Sequence, residues 1–146
     1  MHIQRATLDQ LESLTGLFDS YRVFYEQLPD LDSARIFLRE RLVNGESVVF
    51  IAFEEEEAVG FVQLYPSFSS VSMRHSWILN DLFVKKSARQ KGYGEELLKK
   101  AITFARESGA KGITLETGKD NVKAQSLYEK IGFARETNYF YHFSII

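Results

Sequence analysis

The spacing of apolar positions along this chain changes several times, and each change marks an element. Leu8, Leu11, Leu14, Leu17, Phe18, Tyr21 and Phe24 recur at threes and fours. That is the spacing of one broad helical face, so a helix is predicted from an N-cap at Thr7 to about Tyr25, after a first strand at HIQRAT. Tyr21, Phe24 and Tyr25 read first as core packing. Gln27 to Asp30 breaks the pattern, and a second helix is expected from about Asp32 to Val43, capped by Asp32 or Ser33 and closed at Asn44-Gly45. From Ser47 the period becomes that of strands. SVVFIAFE and AVGFVQLYP read as a hairpin around Glu54 to Glu57, a charge run expected to be a solvated turn. Pro66 has no ladder donor, so the second strand should end or bulge there.

Ser67 to Met73 is small and polar, and is expected to be a loop bordering a site. Trp77 to Val84 resumes as a longer strand, followed by a turn through Gly92 and Gly94 and a helix that stops near Ser108-Gly109. GITLET is a further strand, Gly118 to Asn121 a polar turn, and VKAQSLYEKIGF a short helix ending at Gly132. ARETNYFYHFSII alternates and predicts one or two final strands. The order β-α-α-β-β-β-α-β-α-β is not strict βαβ alternation. It predicts an α/β chain with a mixed sheet, using hairpin and crossover connections, in one domain over residues 1–146.

Composition narrows the function classes. Of 146 residues, 45% are hydrophobic and 26% charged, with a net charge of −2, so there is no electrostatic case for nucleic acid. No cysteine is present, which excludes thiolate metal sites and cysteine nucleophiles. No metal site is expected. MHIQRATLDQ lacks the basic-then-apolar pattern of a secretory signal, and no stretch approaches the roughly 18 apolar residues of a membrane span. A cytoplasmic protein away from membranes is the expectation.

The stretch with chemistry in it is NDLFVKKSARQKGYG, Asn80 to Gly94. A strand that turns through glycines into a helix presents unpaired backbone N–H groups and the positive end of the helix dipole, which together suit a phosphate. Lys85, Lys86, Arg89 and Lys91 add positive charge beside it. The turn lacks the third glycine of a dinucleotide fingerprint, and no phosphate-loop GxxxxGK[ST] occurs.

These residues carry a resemblance. Arg89-Gln90-Lys91-Gly92-Tyr93-Gly94 is similar to the (Q/R)xxGx(G/A) signature of the GNAT superfamily of acyl-coenzyme-A-dependent N-acyltransferases. Asn121, Ala124, Tyr128 and Gly132-Phe133 resemble that family's NxxAxxxYxxxGF segment. The resemblance implies the GNAT fold with a splayed central strand, and acetyl coenzyme A as co-substrate. It places the pyrophosphate on the backbone of Gln90 to Gly94, with Arg89 beside it, and the pantetheine along Leu82, Phe83 and Val84. Asn121 would hold the pantetheine or the turn, or cap a helix, and Ala124 belongs to the same segment.

The resemblance further implies direct attack of an amine on the thioester, with Tyr128 as general acid to the leaving thiolate; packing of its helix is the alternative. A phenol with an ordinary pKa of about 10 stays protonated at neutral pH and can donate. For the base, Asp81 and Glu116 are the carboxylates nearest the inferred centre, Asn80 is a hydrogen-bond partner, and His75 is a weaker candidate. Tyr25, Glu26, Tyr65, Asn80 and Asp81 are expected to meet the acceptor, and their acids and aromatics suit a small cationic amine or a lysine or N-terminal amine. Two other readings are an inactive coenzyme-A-binding or regulatory module and a plain nucleotide-binding domain. The aromatic segment Tyr139 to Phe143 either pairs with another subunit in a homodimer or seals the core.

Overall fold

A computed structural model describes all 146 residues, which fall into two compact units, Met1–Glu116 and Thr117–Ile146. In the first, β1 (His2–Arg5) leads to a capping box at Thr7. The Thr7 Oγ1 accepts the Asp9 N–H at 3.1 Å, and the Gln10 Oε1 accepts the Thr7 N–H at 2.8 Å, satisfying donors that a helix start leaves open. One 3-10 turn then gives way to α1 (Leu11–Phe24). The second helix, α2 (Leu31–Val43), starts slightly before its expected position, because Asp30 rather than Asp32 or Ser33 caps it by accepting the Ser33 N–H. Asp30 is itself fixed, its N–H donating to Asp19 Oδ1 at 3.0 Å on α1.

The sheet runs in the order β1-β2-β3-β4-β5, with β2 (Val48–Glu54), β3 (Glu57–Ser69), β4 (Arg74–Val84) and β5 (Ile113–Thr114). The first four strands are antiparallel neighbours, and β5 joins β4 in parallel. β3 does not end at Pro66, which pairs with Trp77. Beyond Leu64 it has left β2 behind and has a neighbour on one side only, the setting in which a missing N–H is tolerated. The expected loop therefore shrinks to a turn around Ser70–Met73.

α1 and α2 cover one face of the sheet, where Leu11, Leu14, Phe18 and Leu38 pack with Ile51, Phe61 and Phe83. A fully buried Leu such as Leu14 or Leu38 stabilises by about 2 kcal/mol. The other face takes α3 (Tyr93–Glu107), whose Phe104 ring meets Phe50 at 5.8 Å and Trp77 at 5.2 Å. Gly60 has to be glycine, since a Cβ there would lie 2.8 Å from the Phe83 carbonyl oxygen and 3.3 Å from Leu97.

β4 is irregular in its pairing on both sides. Its ladder with β3 slips: Leu79 opposes Leu64, yet Asp81 opposes Gln63, which leaves Asn80 as the extra residue of a bulge. Its pairing with β5 is confined to Trp77 and Ile78, so from Leu79 to Val84 the outer edge has no strand alongside. The GITLET strand is correspondingly short.

The second unit holds α4 (Val122–Ile131), capped by the Asn121 Oδ1 on the Ala124 N–H at 3.2 Å and ended at Gly132, φ +123°. The final strands expected from the alternation are not formed: residues 133–146 are neither helix nor strand, and Tyr139, Phe140, Tyr141 and Phe143 are exposed. Alternation gives a segment β propensity, but a strand exists only through a ladder partner, and this segment has none.

Candidate active site

The bulge decides which face Asp81 occupies. Directly paired residues share a face, so Asp81 and Phe83 lie with Gln63 and Phe61 on the α1 side, whereas Trp77 and Leu79 lie with Pro66 and Leu64 on the α3 side. Were Asn80 paired in a regular ladder, Asp81, two residues beyond Leu79, would follow it to the α3 face. His75, two residues before Trp77, is held on that face by the Ser108 hydroxyl, 3.3 Å from Nε2, and by the Trp77 ring. Its contacts bind the strand to the end of α3 and leave it out of the Asp81 cluster.

Asp81 is 4% exposed and surrounded by donors. Gln63 Nε2 donates to Oδ2 at 2.7 Å, Asn80 Nδ2 donates to Oδ1 at 3.1 Å, and the Tyr21 hydroxyl adds a third hydrogen bond from α1. Burial, which penalises the charged form, outweighs these donors and raises the carboxyl pKa above its ordinary value. The same burial, reinforced by the Asp81 charge, pushes the Tyr21 phenol up, and pushes Tyr65 up to about 12. Both phenols therefore stay protonated at neutral pH.

Tyr25 extends this group, its ring edge-on to Tyr21 at 5.1 Å. Of the residues expected to meet an acceptor, Tyr25, Tyr65, Asn80 and Asp81 thus join through Tyr21, while Glu26 lies in the exposed turn after α1 with φ +65°. Glu116, the second candidate base, is exposed beyond the short β5. Tyr21 packs against the core as its spacing predicts, its ring 5.7 Å from Phe61 and 5.9 Å from Phe83, and its hydroxyl also brings it into the cluster, together with Gln63, which sequence reasoning does not single out. A polar residue in the apolar run VGFVQLY was the available signal for Gln63.

At the other end of β4 the chain makes a 3-10 turn at Lys86–Ala88, then two left-handed residues, Gln90 (φ +63°) and Gly92 (φ +88°), before α3 begins at Tyr93. No side chain caps α3, so the amides of its first turn keep no cap partner, and a Cβ on Gly92 would meet nothing within 4 Å. An open cradle of backbone donors beside an unpaired strand edge fits a ligand with a phosphate end and an amide arm. Three of the four cations beside it are already engaged. Lys91 Nζ lies 3.1 Å from Glu54, Lys85 pairs with Glu57, and Arg89 Nε donates to the Val84 carbonyl at 2.9 Å. The glutamate run expected to be only a solvated turn is the partner of this loop.

In the second unit, Asn121 performs the capping role, and Tyr128 is half-buried with its ring 5.9 Å from Phe133. The Tyr128 carbonyl accepts the N–H groups of Gly132 and Phe133, closing the helix. Ala124 is the residue whose amide Asn121 caps.

Three comparisons bear on this geometry. The model of the acetyltransferase (GNAT) family matches residues 12–133. An uncharacterised N-acetyltransferase of Bacillus subtilis, YhfO, is 48% identical over 97% of this chain and 95% of its own. The crystal structure of a probable acetyltransferase superimposes with a TM-score of 0.92 at 44% identity, covering 99% of both chains. The aminoglycoside N-acetyltransferase AAC(6')-Iy, solved in complex with CoA, shares the fold at a TM-score of 0.82 and 20% identity, over 99% of this chain and 95% of its own.

Proposed function

The chain belongs to the acetyltransferase (GNAT) family and is an acyl-coenzyme-A-dependent N-acetyltransferase; on that premise we propose that it acetylates a primary amine held beside Asp81. The observation that carries this reading is the buried carboxylate itself. Asp81 is hydrogen-bonded by Gln63, Asn80 and Tyr21, has a raised pKa, and is bordered by the hydroxyls and rings of Tyr21, Tyr25 and Tyr65. An amine arrives in water as an ammonium with a pKa near 10.4, and attack needs its lone pair. A carboxylate with its pKa moved toward neutrality is a better proton acceptor than an ordinary one.

In this reading the acceptor gives a proton to Asp81, directly or through water, and its nitrogen bonds to the thioester carbonyl carbon of acetyl coenzyme A. The carbon–sulfur bond breaks, the Tyr128 phenol supplies a proton to the leaving sulfur, and the second proton that the nitrogen sheds on becoming an amide passes through solvent to restore the phenol. Tyr128 receives this role on its place in the NxxAxxxYxxxGF segment. The backbone of Gln90 to Gly94 would hold the pyrophosphate, Leu82 to Val84 the pantetheine arm, and Asn121 and Ala124 further parts of the donor. Acids and aromatics near Asp81 favour a cationic acceptor, and a structural relative of the same fold is an aminoglycoside N-acetyltransferase. A homodimer paired through the exposed Tyr139 to Phe143 segment and a cytoplasmic location complete the proposal.

Thiol release from acetyl coenzyme A across a panel of polyamines, aminoglycosides, lysine peptides and neutral or acidic amines tests it, with Asp81→Asn and Glu116→Gln run alongside. Turnover on cationic amines that Asp81→Asn abolishes is the expected result. Acetylation of neutral or acidic amines only would overturn the acceptor class, and loss of activity in Glu116→Gln but not Asp81→Asn would move the base to Glu116. Binding without turnover on any amine would leave a coenzyme-A-binding module.

A further inference from the structure

Gln63 sits on β3 directly opposite Asp81, at the step where the ladder slips, and is fully buried. Its amide nitrogen is committed to Asp81 Oδ2 at 2.7 Å, but its carbonyl oxygen, Oε1, is buried with no hydrogen-bond partner. Leaving a buried acceptor unpaired is costly, and a residue between the fully buried Val62 and Leu64 would normally be apolar.

The carboxyl group opposite gives the orphaned oxygen a purpose. An ionised Asp81 can only accept, and the Gln63 NH₂ serves it. A protonated Asp81 carries one O–H that needs an acceptor. A half-turn of the Gln63 amide exchanges nitrogen for oxygen in almost the same volume, and brings Oε1 to that proton. The other two groups that bond Asp81 serve its ionised form, the exposed Asn80 through its amide nitrogen and the Tyr21 hydroxyl as a donor.

We propose that Gln63 is a positioning residue for Asp81, which holds the ionised carboxylate through its amide nitrogen and the protonated carboxyl through its carbonyl oxygen. The proposal rests on the reading of Asp81 as the base. Gln63 neither gains nor loses a proton; it keeps one Asp81 oxygen oriented in both states of the cycle. The titratable groups that face Asp81 are Tyr21 from α1 and Tyr65 from β3. Tyr25 acts on Tyr21, and Arg41 of α2 acts on Tyr65.

The test is Gln63→Met, close in shape but without the amide, followed by carboxyl ¹³C NMR titration of Asp81 and by the pH profile of kcat/KM. The Gln63 bond to the ionised form is charge-assisted and the bond to the protonated form is not, so losing both should raise the Asp81 pKa by about one pH unit, with the acid limb of kcat/KM moving by the same amount. An Asp81 titration that does not move overturns the proposal. If the titration moves while the acid limb stays, the Gln63–Asp81 coupling stands and it is the base assignment that fails. Wild-type protein offers a check that no folding defect can obscure. The Gln63 side-chain amide resonances should titrate with Asp81, and amide signals unchanged through that titration would also overturn the proposal.

Discussion

Arg89 donates from Nε to the Val84 carbonyl at 2.9 Å while its guanidinium lies over the rings of Phe24 and Phe83, 5.4 and 5.9 Å from their centroids. The turn after β4 is thereby tied to the end of α1. Lysine offers a point charge in place of a planar fork, so it cannot reproduce both contacts. Arg89→Lys is expected to destabilise by about 1 kcal/mol, given the exposure of the pair, and to raise the KM for acetyl coenzyme A more than that for the amine. Calorimetry and steady-state kinetics measure the two effects, and an unchanged donor KM would count against the turn as the donor site.

Gly92 separates folding from binding. A β-branched side chain at φ +88° is strained, on the order of 1–2 kcal/mol, yet a Cβ there meets nothing within 4 Å. Gly92→Val should therefore fold, with its side chain standing where a phosphate would approach. Donor affinity is expected to fall tenfold or more, a loss of about 1.4 kcal/mol. Titration calorimetry with coenzyme A showing unchanged affinity would refute the cradle.

Asp81 has a signature in stability as well as in rate. Its folded pKa lies above the ordinary 3.8, so between these two values the native state binds more protons than the unfolded one. Stability linked to Asp81 is complete below about pH 3.8 and is lost as pH rises through the folded pKa. Asp81→Asn has no such loss. The melting temperature of the variant minus that of wild type should rise with pH from about 4 upward and level off once Asp81 is ionised; a flat difference would contradict a raised pKa.

Glu54 and Lys91 are each exposed by 40% or more, so their ion pair adds at most about 1 kcal/mol to stability. Removing the carboxylate should matter more for anions. Glu54→Gln is expected to leave the melting temperature nearly unchanged and to tighten coenzyme A binding at low salt, with the difference vanishing at high ionic strength. Weaker binding in the variant would show that Glu54 holds Lys91 in its productive place.

Tyr128→Phe retains the ring contact with Phe133 and removes only the hydroxyl. Turnover should fall by more than the donor KM rises, since the lost proton donor acts as charge grows on sulfur. Equal turnover would take Tyr128 out of the mechanism.

Much of this was legible in the sequence because it rests on local spacing. The periods of α1, α3 and α4, the strand-turn-helix around Gly92 and the mixed sheet all follow from residues close together in the chain. What was missed depends on pairs distant in sequence. Lys91 finds Glu54 across the sheet, and Gln63 finds Asp81 only because two strands lie side by side. Pro66 was misjudged because its tolerance depends on where β2 ends, and the last residues because alternation cannot say whether a partner strand exists.

The bulge at Asn80 also sets a rule of parity for changes in strand length. Inserting two residues into β4 between the bulge and Asp81 would keep the carboxylate facing α1, whereas inserting a single residue there would exchange the sides. Asp81 would then share a face with Trp77, and the strand would stay a strand with its chemistry turned toward α3. In this fold an odd change is a change of function and an even one only a change of reach.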